Sequence, residues 1–407
     1  MDPLLLDAPL TPASETNGMF SQIRPPPSDP LYEAMARYSA DQRPYKCDLG
    51  VGVFRDADGR SPVLAAVRAA EEELAHSEQT KAYFPLAGNP QFLDLLKALL
   101  FPGDAVRTAV IQSAGGTGAL RLAFELIKLA KCDSTVHLGE PSWPSHSGLA
   151  AAVGLAIRPY PYLDRRSGAV DFDAMLAAAR SCAVNDVFLL HGPCHNPSGM
   201  DLEPQQRDAL LNLIARRGAV PIIDVAYWGL GDGIGPDLAR LSEDVALVEQ
   251  AFVAVSCSKA FGLYRERTGA LFAFTRPGDE RSAVQGNLEV LSRHLVSGAP
   301  AHGAAVVAKI LNDEKLTQVW MSEMSDMRAR IASIRTRLEG LSGHAPQLSG
   351  VSQGRGLFSL LPVSPSQVQY LSSEHAIHLP ASGRINLTGL KPGDPERLAE
   401  ALHAVSS

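Results

Sequence analysis

The sequence predicts an α/β fold: a mostly parallel sheet covered by helices on both faces, followed by a smaller α+β part. Two observations carry this. Short, continuously apolar runs recur along the chain, as expected of strands buried on both faces. Amphipathic, helix-like stretches lie between them, the alternation that builds a parallel sheet. A third observation, a long apolar stripe at helical spacing after residue 313, predicts an extended helix leading out of the sheet-bearing part.

Taken in order, residues 1–30 are rich in Pro, Ser and Thr, end in RPPPSDP, and read as an arm without a core of its own. Expected strands follow at 108–112 (TAVIQ), 134–139 (STVHLG), 186–192 (DVFLLHG), 219–224 (AVPIID), 251–256 (AFVAVS) and 269–274 (GALFAF). Between them lie helical segments such as ALRLAFELIKLAK and EPQQRDALLNLIARRG. The second starts at Pro204 and stops at Gly218, the expected start and stop chemistry. The stripe Leu316, Trp320, Met324, Met327, Ile331, Ile334, Leu338 and Leu341 marks one long helix or two shorter ones. A single helix of roughly 30 residues would reach about 45 Å at 1.5 Å per residue. Beyond it, 356–361 (GLFSLL) and 383–389 (GRINLTG) read as strands of the smaller part.

Composition narrows the function. The chain has 407 residues, 45% hydrophobic and 20% charged, values of an ordinary globular protein rather than a disordered one. A formal charge of −7 gives no general cationic field, which argues against nucleic-acid coating or adhesion to anionic membranes. Five cysteines without a C-x-x-C pair argue against a disulfide framework or a zinc knuckle and favour a reducing compartment. The N-terminus lacks signal-peptide chemistry, and the apolar stretch ALRLAFELIKLA is interrupted by Arg121, Glu125 and Lys128, so the cytoplasm is the expected location.

In open α/β sheets ligands collect at the carboxyl ends of the strands, so the residues just past each strand matter most. After 108–112 comes SAGGTGAL, where Gly115, Gly116, Thr117 and Gly118 open a helix whose N-terminus favours a phosphate. Alone, this is equally a tight turn without a ligand. After 186–192 come Asn196 and Pro197; after 219–223 come Asp224 and Tyr227; after 251–256 come Ser258, Lys259 and Arg267. A lysine behind a buried strand reaches solvent or is neutralised chemically as a Schiff base. Asp224 alone is a plausible turn residue and Arg267 a plausible surface ion pair. Together, a phosphate cradle, an amine, a strand-end carboxylate and an arginine are the parts that pyridoxal phosphate chemistry requires.

At these residues the chain resembles the aspartate and aromatic-amino-acid aminotransferases, class I enzymes of the fold type I pyridoxal-phosphate group. The resemblance rests on SKAFGLYRERTG, HNPSG, IIDVAYWG, EPSWPSH, SAGGTGALR, SPVLAAV and ASGRINLTG, in family order from about Asp29 to the C-terminus. It implies a large domain with a seven-stranded sheet over 61–315. It also implies a small domain made of 31–60 and 316–407, and a homodimer with shared active sites. Lys259 would form the Schiff base with pyridoxal 5′-phosphate and later shuttle a proton. Asp224 would pair with the pyridinium nitrogen, Tyr227 and Asn196 with the phenolic oxygen, and Trp143 would stack on the ring. Gly115, Gly116, Thr117, Ser256, Ser258 and Arg267 would hold the phosphate, with Tyr83 reaching it from the neighbouring subunit.

Arg384 would grip the substrate α-carboxylate bidentately, beside the amide of Gly52. Trp143 and Asn196 would also border the substrate. Arg293, again from the neighbour, matches the arginine that selects a distal carboxylate. Around it the family pattern thins: Val296 stands for a tyrosine, Gly298 and Ala82 for asparagines, Phe54 has lost a hydroxyl, and Ala260 replaces asparagine. The implied activity is ping-pong transamination between an L-amino acid, aromatic or aspartate, and a 2-oxo acid such as 2-oxoglutarate. The alternatives are a strict aspartate aminotransferase, or a decarboxylase or lyase keeping the same cofactor. No metal is implied. Two observations argue against a dinucleotide fingerprint: SAGGTGAL lacks the G-x-G-x-x-G spacing, and no suitably placed ribose-binding acid stands out.

Overall fold

A computed structural model describes residues 19–21, 23–24, 29–103, 107–164, 167–276, 278 and 280–405. Most of the expected arm, including residues 1–18, therefore lies outside the described residues. A seven-stranded sheet forms in the order Thr108–Ala114, Thr268–Phe274, Ala251–Ser256, Val220–Val225, Val187–His191, Thr135–Glu140, Ala156–Pro161. Only Thr268–Phe274 runs antiparallel to its neighbours. Each of the six expected strands is present within two residues of its expected ends. The seventh, which the resemblance implies but no apolar run locates, is Ala156–Pro161. Its sequence AIRPYP carries two prolines, which cannot complete a central ladder and are tolerated because this strand is an edge.

Helices cover both faces and give the sheet two apolar layers. One is filled from Gly115–Ala130 and Glu280–Val296 through Leu120, Phe124, Ile127 and Leu288. The other runs from Leu210 and Ile214 on the helix Pro204–Arg216 into the packing around the long helix. That helix is a single one, Glu314–Glu339, capped by Asp313. Its stripe from Leu316 to Leu338 is buried, while Leu341 lies past the helix end and is half-buried. Midway, Trp320 donates its indole N–H to Ala260 O at 2.7 Å and stacks on Phe261 at 4.6 Å. The long helix thus props the loop that follows Ala251–Ser256.

Two small ladders complete the fold. Cys47–Asp48 pairs parallel with Ile377–His378, joining the N-terminal segment to the C-terminal one. Phe358–Leu360 pairs antiparallel with Arg384–Asn386. Both latter strands are shorter than expected. After Asn386 the chain turns into a single 3₁₀ turn, Leu387–Gly389, because the Asn386 side chain accepts from Thr388 N at 3.0 Å. The helix Pro30–Ala40, capped by Asp29, precedes these ladders. Among the described residues, no helix is long and apolar enough to cross a membrane.

Trp320 is fully buried between Phe261 and Trp228. Replacing it with alanine opens a large cavity, and Trp320→Ala is expected to cost about 3–5 kcal/mol of stability, read as a lowered urea midpoint at unchanged slope.

Candidate active site

The parallel strands deliver their C-terminal ends to one edge of the sheet, and Thr268–Phe274, being antiparallel, begins there. Arg267 therefore meets residues that follow the other strands. A cavity of about 460 Å³, open to solvent, is lined by Gly116, Thr117, Leu120, Trp143, Asn196, Asp224, Ala226, Tyr227, Ser256, Ser258, Lys259 and Arg267. Ten of the residues singled out in the sequence thus share one space, with Leu120 and Ala226 adding apolar wall.

One end of the cavity is built for an anion. The helix Gly115–Ala130 starts without a side-chain cap among the described residues, leaving its first-turn amides to a ligand. Gly115 has φ +69, and a Cβ there would stand 2.5 Å from Arg267 Nη2. Only glycine lets the guanidinium lie against the turn. Arg267 Nη1 donates to Tyr264 O at 3.1 Å and to Ser258 Oγ at 3.3 Å. Ser258 N donates in turn to Ser256 Oγ.

At the other end, Lys259 and Asp224 oppose each other. The Lys259 ammonium lies 4.8 Å from the Tyr227 ring centre and has no hydrogen-bond partner among the described residues. Burial pulls its pKa down to about 8, against the upward pull of Asp224; Arg267 and Arg384 add to the fall. Asp224 is 7% exposed. Burial alone would raise its pKa, but the His146 hydrogen bond and the surrounding positive charge win, holding it below the ordinary carboxylate value. Burial raises the Tyr227 hydroxyl, with Arg384 opposing.

Behind Asp224 runs a chain of hydrogen bonds that the sequence reading missed. His146 Nε2 lies 2.9 Å from Asp224 Oδ2, His146 Nδ1 lies 2.8 Å from Ser142 Oγ, and Ser142 Oγ lies 3.1 Å from His191 Nε2. Asn196 N approaches His191 Nδ1 at 3.5 Å. Burial drives His191 down to a pKa of about 3, so it is neutral. One assignment of protons satisfies every link: Asn196 N–H donates to His191, His191 to Ser142, Ser142 to His146, and His146 to Asp224. Oδ1 of Asp224 accepts nothing from the described residues and remains for the cavity. The signal in the sequence was His146 itself, the last residue of the EPSWPSH motif noted for Trp143.

Arg384 adjoins the cavity through Asn196. It is 8% exposed, donates from Nη2 to Gly50 O at 2.7 Å and from Nη1 to Asn196 Oδ1 at 3.4 Å, and its buried Nε has no partner. Its guanidinium lies 4.4 Å from the Phe358 ring centre. That ring also explains Gly52, where a Cβ would come within 2.9 Å of Phe358 Cζ. Phe358 was not singled out from the sequence. Tyr83 and Arg293 do not line the cavity; both are exposed, Tyr83 at 95%, and Gly298 sits beside the Tyr83 ring.

An amine, a charged carboxylate and an anion cradle converging at the strand ends define a cofactor-dependent enzyme site rather than a scaffold. The chain belongs to the aminotransferase class I and II family, whose sequence pattern matches residues 44–402. It is 43% identical over 386 residues to a tyrosine aminotransferase of Rhizobium meliloti, covering 94% of this chain and 98% of that one. It is 36% identical to an aspartate aminotransferase of Escherichia coli, covering 95% and 100%. The crystal structure of an aromatic-amino-acid aminotransferase from Burkholderia pseudomallei, covalently bound to pyridoxal phosphate, superposes with a TM-score of 0.92 at 34% identity, covering 96% and 100%.

In protein free of cofactor, modification of Lys259 by an amine-directed reagent should rise along a titration centred near pH 8. Because the Asp224 carboxylate favours the ammonium, Asp224→Asn should move that midpoint lower; a midpoint at the ordinary lysine value would contradict the burial described. Peptide-resolved labelling over a pH series reads both.

Proposed function

We propose that this aminotransferase uses pyridoxal 5′-phosphate to exchange an amino group between an L-amino acid, aromatic or dicarboxylic, and a 2-oxo acid. The observation that carries the reading is the unpartnered Lys259 amine sharing a cavity with the charged Asp224. The residues fit the cofactor. The uncapped helix start at Gly115–Thr117, with Ser256, Ser258 and Arg267, accepts a phosphate. The free Oδ1 of Asp224 accepts a ring N–H, Trp143 offers a flat face, and Tyr227 and Asn196 offer polar atoms to the ring oxygen.

Once bound, the cofactor supplies a carbonyl that condenses with an amine and a ring that accepts the electron pair released at the substrate α-carbon. The chain supplies the rest. Asp224, held charged by the His146 relay, keeps a proton on the ring nitrogen. Lys259, its amine freed when the substrate amine takes its place, would take the proton from the substrate Cα and pass it to the cofactor's former carbonyl carbon, with a pKa pulled down to about 8 that suits both steps. Arg384 would grip the α-carboxylate through its Nη atoms, beside Asn196, and so fix the Cα–H toward Lys259.

The reading extends to a homodimer. Tyr83 and Arg293 are both exposed and stand among exposed apolar residues, Phe84, Leu86, Leu295 and Val296, which suits burial against a second copy. There they would complete the neighbour's phosphate and side-chain pockets. The division into an arm, a large part over 61–315 and a small part from both ends belongs to the same proposal, as does work in a reducing compartment, which the five free cysteines suit.

For the donor, the loss of polar groups at Ala82, Val296 and Gly298 supports a roomy pocket around the Arg293 of the second copy. Of the relatives, the tyrosine aminotransferase is 43% identical and the Escherichia coli aspartate aminotransferase 36%. With 2-oxoglutarate as acceptor, kcat/KM for phenylalanine, tyrosine and tryptophan should lie within about tenfold of that for aspartate, or above it. Aspartate leading by several orders of magnitude would overturn the wide-pocket reading, and carbon dioxide release or elimination would overturn transamination itself.

A further inference from the structure

Arg335 lies near the far end of the long helix, 4% exposed, with no carboxylate paired to it among the described residues. Its two terminal nitrogens meet backbone carbonyls alone, and its buried Nε has no partner among the described residues. Nη1 donates to Val351 O at 2.5 Å, and Nη2 points at Arg355 O, Gly356 O and Phe358 O at 2.9, 3.0 and 2.6 Å. A buried cation with only carbonyl partners is an expensive way to fold a loop, since apolar side chains would hold the same space at lower desolvation cost. Its position supplies the reason.

The clamped segment 351–358 is pressed onto the turn 194–199. Arg355 N donates to Gly199 O at 2.7 Å, and a Cβ on Gly199 would stand 2.5 Å from Phe358 O and 2.8 Å from Arg335 Nη2. The joint is bare backbone with no slack. Each side of it ends at Arg384. The turn carries Asn196, whose Oδ1 accepts from Arg384 Nη1, and the segment carries Phe358, whose ring backs the Arg384 guanidinium. The same strand pairs Leu360 with Arg384 itself.

We propose that Arg335 is a positioning residue for substrate binding: by clamping segment 351–358 to the turn 194–199, it holds Asn196 and Phe358 so that Arg384 meets the substrate carboxylate in a fixed orientation. This rests on the reading of Arg384 as the carboxylate receptor. Lysine at 335 keeps the charge but presents three donors from one point instead of a planar fork, so it satisfies part of the carbonyl set and loosens the joint.

The test uses the cofactor-loaded protein and 3-phenylpropanoate, which has a carboxylate but no amine and binds without turnover. Calorimetry should show Arg335→Lys binding it about tenfold more weakly than the unmodified chain. Affinity for pyridoxal 5′-phosphate should fall far less than affinity for the carboxylate ligand, because Lys259, Asp224 and the phosphate cradle lie outside the joint and only Asn196 links it to the ring oxygen and the His191 relay. Gly199→Ala, which wedges the same joint from the other side, should give the same pattern and decides the matter if Arg335→Lys fails to fold. Arg384→Gln should abolish binding. If it does while Arg335→Lys and Gly199→Ala bind normally, or lose cofactor affinity in proportion, the positioning role is wrong and the carboxylate reading stands. Normal binding in Arg384→Gln removes both.

Discussion

The constraint on which the site depends is the charge of Asp224. A carboxylate at the end of an interior strand faces a desolvation cost that, unopposed, would protonate it. It stays charged because His146 donates to it, and His146 is fixed in that role by Ser142, His191 and the Asn196 backbone. The opposing group, Lys259, is shaped by the same low-polarity surroundings in the other direction: burial loosens its proton. One environment thus produces a permanent anion and an amine ready to lose its charge, the pairing that acid–base chemistry near neutral pH requires.

Topology makes this pairing possible. Parallel strands place Asp224, Asn196 and Lys259 on one edge although they are far apart in sequence, and the reversed strand Thr268–Phe274 adds Arg267 from its start. The long helix braces the arrangement twice. Trp320 supports the carbonyl next to Lys259, and Arg335 ties the segment that backs Arg384. Both contacts run from one rigid rod, so the amine and the carboxylate receptor are held relative to each other by a single element.

Much of this was legible in the sequence, for physical reasons. Strands buried on both faces announce themselves as apolar runs, as 251–256 does, and the stripe from Leu316 to Leu338 fixes a helix through its spacing. Motif residues at strand ends, Asp224, Lys259 and Arg267 among them, converge because the sheet leaves them no other place. The edge strand Ala156–Pro161 was hidden by its prolines. The His146–Ser142–His191 relay, the Phe358 ring behind Arg384 and the Arg335 clamp were hidden because each is a contact between distant segments with no local pattern to betray it. Tyr83 and Arg293 showed the opposite case: the sequence marks them, while the single chain leaves them on its surface.

The central claim is that the Lys259 amine is the group to which the cofactor becomes attached. Protein loaded with pyridoxal 5′-phosphate, reduced with borohydride, digested and mapped by mass spectrometry tests it most directly. The account predicts one modified peptide, carrying the cofactor mass on Lys259. A modification spread over surface lysines, or absent from this one, would contradict it.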